Sequence, residues 1–88
     1  MVGKIIVIIG SVTTATRLKK AVERQGVIEA EVIHTPAEIS GGSCSYSVKL
    51  DFENMFLTLD TAKKQGIKIK KIYKEEKNNM EREYYDIS

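Results

Sequence analysis

A mixed α/β sandwich with the element order βαββαβ is what this sequence predicts: a four-stranded antiparallel sheet with two helices on one face. Three observations carry the prediction. Short β-branched or alternating runs recur at residues 4–9, 29–35, 44–50 and 67–73. Apolar residues at helical spacing fill the gaps after the first and third of these runs. Each helical stretch stops at a glycine.

The first strand, Lys4 to Ile9, is a buried β-branched run closed by Gly10. Ser11, Thr13 and Thr14 then offer hydroxyls that can cap a helix. Ala15, Leu18, Ala21 and Val22 form that helix's apolar face, and Gly26 suits its end. In the second strand, Glu29 to Thr35, Ala30, Val32 and His34 alternate with Glu29, Glu31, Ile33 and Thr35. Pro36 ends it, because proline has no N–H to give to a ladder. A Gly/Ser-rich loop from Ala37 to Ser43 follows.

The third strand, Cys44 to Leu50, places Cys44, Tyr46, Val48 and Leu50 on one face and Ser45, Ser47 and Lys49 on the other. Asp51 is the expected cap of the second helix. Phe52, Met55, Phe56, Leu59 and Ala62 are its expected apolar stripe. Gly66 ends that helix, and a last strand runs from Ile67 to about Tyr73. Residues 24–28 and 64–68 echo one another, Arg-Gln-Gly-Val-Ile against Lys-Gln-Gly-Ile-Lys. Shared helix-stop chemistry accounts for the echo better than duplication.

This order favours a ferredoxin-like domain over residues 1–74, with strand order 4-1-3-2. Residues 75–88 read as a charged tail or an extra helix, either frayed or docked on a partner. Only about 60–65% of the unfolded surface is buried in so short a chain, so a homodimer is expected to help it.

Composition narrows the function classes. With 42% hydrophobic and 30% charged residues, the chain is expected to fold rather than stay disordered. The net charge of +2 gives no nucleic-acid signature, and Lys68, Lys70, Lys71 and Lys74 read as a solvated strand edge. A single cysteine precludes an internal disulfide and points to a reducing cytoplasm. The apolar run from Ile5 to Ile9 is too short to span a membrane. One cysteine and one histidine cannot fill a zinc shell, so no metal is expected, and no dinucleotide or phosphate-loop fingerprint implies a cofactor.

The expected topology sets the end of strand one beside the start of strand three, where the first helix also begins. Cys44 would then face backbone N–H groups and a positive helix end, which lower a thiol's pKa. Around it the loop offers Ser40, Gly41, Gly42, Ser43 and Ser45, and the helix start offers Ser11 and Thr13, as an anion-holding set. His34 flanks the same loop and is an accessory candidate. Free cysteine is also a common small core residue, and spacing leaves both readings of Cys44 open.

Residues 4–74 also resemble a known family, the selenium/sulfur carrier-like small domains. The resemblance rests on a strand running into a Ser turn and an Ala-bearing helix, Ile5 to Leu18, and on Pro36-Ala37-Glu38-Ile39-Ser40. Cys44 follows at the mouth of the next strand, and Gln65-Gly66-Ile67 through Tyr73 closes the pattern. It implies a carrier in which Cys44 holds sulfur or selenium as a persulfide or selenosulfide, served by a cysteine desulfurase or a selenium-metabolism protein. The alternative is a non-catalytic ferredoxin-like binding or regulatory module. Either way, a carrier or binding protein is expected rather than a turnover enzyme.

Overall fold

The computed structural model describes residues 3–40, 45–78 and 81–87. Its strands are β1 (Lys4–Gly10), β2 (Glu31–His34), β3 (Tyr46–Asp51), β4 (Lys71–Asn78) and β5 (Glu81–Asp86). The helices are α1 (Val12–Arg24), a single turn α2 (Ala37–Ser40) and α3 (Met55–Lys64), the last preceded by a 3-10 turn at Phe52–Asn54.

The strands form one sheet in the order β2-β3-β1-β4-β5. Every pairing is antiparallel. The chain is therefore a mixed α/β domain with an antiparallel sheet, and its first four strands follow the expected order. Two features correct the four-stranded, two-helix expectation. A fifth strand comes from the charged segment near the C-terminal end, where Tyr73 pairs with Asp86 and Glu75 with Tyr84. A third helical turn, α2, stands where a loop was expected, its amides at Ile39 and Ser40 both donating to the Pro36 carbonyl.

The extra strand also corrects the strand-edge reading for two of the four lysines. β4 lies between β1 and β5, so Lys71 and Lys74 are not on an edge. Their ammonium groups are paired, Lys71 with Asp86 at 3.0 Å and Lys74 with Glu76 at 3.3 Å. Lys74 also lies 4.7 Å from the centre of the Phe52 ring.

β1 is the middle of the molecule. Ile5, Val7 and Ile9 face α1 and join Ala15, Leu18, Val22, Val48, Leu50, Ala62 and Ile72 in one core. Each isoleucine, leucine or valine among them, taken fully out of water, contributes roughly 1.5–3 kcal/mol before entropy is counted. Ile6 and Ile8, on the opposite face, are buried as well. That face is therefore covered rather than open, and Ser47 on it is wholly buried.

Ser11 caps α1, its hydroxyl accepting the Thr14 amide at 3.1 Å. Gly26 ends the helix at a φ of 103°, which a residue with a Cβ rarely adopts. Two closing bonds run from Val27 N–H to the Val22 carbonyl and from Gly26 N–H to the Glu23 carbonyl. α3 ends with the same pair, Ile67 to Ala62 and Gly66 to Lys63. Both are Schellman motifs whose following residue, Val27 or Ile67, drops into the core. The sequence echo is this shared stop.

The start of α3 departs from expectation. Asp51 makes no side-chain cap. Its carboxylate instead accepts from the Lys4 ammonium at 2.6 Å. Of the expected apolar stripe, Ala62 is buried and Phe52, Met55 and Leu59 pack against the core, but Phe56 is 77% exposed, and Thr58 and Thr61 are buried instead. Thr58 reaches the interior because its hydroxyl donates back to the Asn54 carbonyl at 2.8 Å, leaving no polar group unpaired.

Candidate functional site

Three strand ends and one helix start meet at one end of the sheet. β1 closes at Gly10, opposite Tyr46, with a register shift between Ile8 and Gly10. β2 closes at His34, which also pairs with Tyr46. α1 starts one residue after Gly10. Gly41, Gly42, Ser43 and Cys44, and with them the expected juxtaposition of Gly10 and Cys44, lie outside the described residues. Ser45 and Tyr46, the two residues that follow Cys44, stand at this end of the sheet.

These flanking residues are ordered by specific contacts. The Thr35 amide donates to the Ser45 carbonyl at 2.9 Å, which closes the β2–β3 pair. Ser45 Oγ donates to Thr35 Oγ1 at 2.8 Å, and Thr35 Oγ1 meets Ser47 Oγ at 2.5 Å. The result is a row of three hydroxyls running from a half-exposed position into the buried face. The His34 ring stacks on Tyr46, with centroids 4.5 Å apart and planes tilted by 37°.

The remaining candidates from the sequence are distributed around this end. Ser11 Oγ donates to Thr14 Oγ1 at 2.9 Å while accepting the Thr14 amide, so its hydroxyl is committed to the cap. Thr13 is exposed on the first turn of α1. Ser40 is half-buried at the end of α2. Of the candidate set, Ser11, His34 and Ser45 thus stand at or beside the strand ends.

Sequence reading missed Lys70. Its amide donates to the Ile8 carbonyl at 2.9 Å, which holds it beside the end of β1. A Cβ placed on Gly10 would come within 3.2 Å of the Lys70 ammonium nitrogen. Gly10, at a φ of 115°, accordingly admits this cation close to the backbone. Only the pairing of residue 70 with β1 could have revealed this, because in the sequence Lys70 is one lysine among several. The first turn of α1 carries no acidic residue. Together the helix start and Lys70 make this end of the domain favour an anion.

Among the described residues no cluster of three or more His, Cys, Asp or Glu could hold a metal. Among the same residues no helix is long and apolar enough to cross a membrane.

No curated protein and no solved structure matches the chain. A family model does, over residues 4–74, from the first residue of β1 into β4. The matched span includes the segment with Cys44 and every contact that orders its flanks, and on that coverage the chain belongs to the family described as putative Se/S carrier protein-like.

Proposed function

We propose that this protein carries sulfur or selenium on Cys44, taking it from a donor enzyme and passing it to a recipient. Family membership is the observation that carries the reading. The electropositive surroundings of the β1 and β3 ends add physical support, since a thiolate and a terminal persulfide are both anions.

In the loading step, Cys44 thiolate attacks the outer sulfur of a persulfide on the donor's cysteine. A bond forms between Cys44 Sγ and that sulfur as the donor's sulfur–sulfur bond breaks. The donor cysteine leaves as a thiolate, and the proton of the transferred sulfur stays on it or goes to solvent. No external oxidant or reductant is consumed. Delivery repeats the exchange with Cys44 as the leaving thiolate. A selenium atom would follow the same course as a selenosulfide.

The test is intact mass after incubating the protein with a cysteine desulfurase and free cysteine. A gain of one sulfur atom, removed by thiol reductant and absent from Cys44→Ser, is expected. Unchanged mass under conditions that load another acceptor refutes the carrier reading. Alkylation of Cys44 as a function of pH supplies a second check, with a midpoint expected below the roughly 8.5 of a free thiol. A midpoint at or above that value counts against the mechanism.

A further inference from the structure

Charge is unevenly shared between the sheet and the helices packed on it. α1 and α3 carry six basic residues, Arg17, Lys19, Lys20, Arg24, Lys63 and Lys64, against two acidic ones, Glu23 and Asp60. The whole chain has 14 basic and 12 acidic residues, so outside these two helices the acidic ones predominate.

Internal pairing sharpens the contrast. On the sheet Lys4 meets Glu29 and Asp51, Lys49 meets Glu75, Lys71 meets Asp86 and Lys74 meets Glu76. On the helices both acidic residues are taken, Glu23 by Lys19 and Asp60 by Lys64, each at 3.0 Å. Among the described residues no carboxylate lies within ion-pair distance of Arg17, Lys20, Arg24 or Lys63. The sheet thus neutralises its own charges, and the helical face does not.

These cations share one surface. Thr13, Arg17, Lys20 and Arg24 recur at helical spacing along the exposed stripe of α1. Phe56, Asp60, Lys63 and Lys64 do the same on α3. The two helices lie side by side. Arg17 donates to the Gln65 carbonyl at the end of α3 at 3.0 Å, and the cleft between the helices has Arg24 on one wall and Asp60 and Lys64 on the other. Phe56 stands exposed on the same side, an apolar ring among charged side chains. Aromatic groups so placed are what a partner buries at the centre of a contact.

We infer that the outer face of α1 and α3 docks an acidic surface of a partner protein, with Phe56 as the apolar anchor and Arg17, Lys20, Arg24 and Lys63 as the unneutralised charges. Charge complementarity selects the occupant. A nucleic-acid strand would want several rings to stack on, and this face offers Phe56 alone. A lipid surface would want the apolar sides of the helices, which Ala15, Leu18, Val22 and Ala62 spend on the core. α1 starts one residue after Gly10, and the chain leaving α3 returns to the same end of the sheet, where the Lys70 amide meets the Ile8 carbonyl. A partner held on this face therefore reaches the end where Ser45 and Tyr46 stand. That such a partner is a sulfur donor or recipient rests on the carrier reading, and the surface itself does not.

The experiment titrates the full-length, isotope-labelled protein with acetyl-Glu-Glu-Leu-Glu-Glu-amide at low salt and follows amide shifts. The peptide with lysine for glutamate, a single-stranded oligothymidylate, and phosphatidylcholine vesicles containing phosphatidylserine at about one-third are run beside it. The acidic peptide is expected to shift residues of α1 and α3, with the response fading by about 0.3 M salt. The double variant Lys20→Glu, Lys63→Glu should weaken it roughly tenfold. Phe56→Ser should weaken it as well, and the spectrum of each variant reports whether it is folded. No response up to roughly 10 mM peptide, shifts centred elsewhere, or binding that the double variant leaves unchanged overturns the assignment. So does tighter binding of the oligonucleotide or the vesicles on this face. None of these readouts depends on sulfur at Cys44, so this proposal and the carrier reading fail separately.

Discussion

Thr35 Oγ1 meets Ser47 Oγ at 2.5 Å on the buried face of the sheet, and Ser45 donates to the same Thr35 oxygen. The relationship explains how a serine can sit at zero exposure near the start of β3. It also ties the last residue before Pro36 to the strand that follows Cys44. Replacing Thr35 by valine keeps the shape and removes the shared partner. A buried hydroxyl left unpaired costs about 1–3 kcal/mol, and a lost but replaceable bond costs about 0.5–1.5 kcal/mol. Thr35→Val is therefore expected to destabilise the domain more than Ser45→Ala in denaturant unfolding. The reverse ranking would mean that Ser47 finds its partner elsewhere.

At the other end of β1, Lys4 bridges Asp51 at 2.6 Å and Glu29 at 3.3 Å. The hydrogen bond from Lys4 holds the Asp51 carboxyl below the ordinary carboxylate range, against the opposing effect of burial. The same bond to Asp51, helped by Glu29, holds the Lys4 ammonium above the ordinary lysine range. The depressed Asp51 contributes stability above its unfolded pKa, and this is lost as pH falls through its folded value. The raised Lys4 contributes stability below its unfolded pKa, and this is lost as pH rises through its folded value. The pair should therefore stabilise across the neutral range and fade at both extremes. Because both side chains are partly exposed, solvent screening limits the gain to about 0.2–1 kcal/mol. Asp51→Asn should lower stability by that amount near neutrality and by nothing at strongly acidic pH, measured by urea titrations across pH. A constant difference at all pH values would show that Asp51 acts by something other than its charge.

Phe56 and Leu18 make the contrasting case on the helices. Phe56 is 77% exposed and Leu18 is wholly buried between α1 and the sheet. Phe56→Ser is expected to change stability by no more than about 0.5 kcal/mol. Leu18→Ala should cost about 2–5 kcal/mol. Thermal and denaturant unfolding of both variants checks the rotation of α3. A cost at Phe56 comparable with that at Leu18 would place its ring in a core or in an interface between copies.

Local order was legible in the chain alone. Lys4 to Ile9 has only apolar β-branched residues after its first position and no alternation, so it had to be a strand covered on both faces, and it is. Ala15, Leu18, Ala21 and Val22 repeat at helical spacing behind a serine cap, and all four are buried. Gly26 and Gly66 stop their helices because only glycine takes positive φ without strain. Each of these conclusions depends on residues within a few positions of one another.

Packing between distant segments settled the remainder. Periodicity shows which residues share a face of an element, but not which face another element will cover. Of the stripe expected on the second long helix, Phe52, Met55, Leu59 and Ala62 pack against or lie in the core, and Phe56 alone turns outward. Thr58 and Thr61 face inward beside that stripe, and Phe56 lies at its outer margin. Asp51 had the chemistry of a cap, but a lysine 47 residues away in the chain offered a stronger partner than an amide. The segment from Lys71 to Asp86 is too charged to read as an interior strand and its partner. Yet cross-strand pairs such as Lys71 with Asp86 neutralise its charges only once β1 has supplied a ladder to build on. The approach of Lys70 to Gly10 belongs to the same class: it joins residues distant in the chain, and such distances are set by the sheet order.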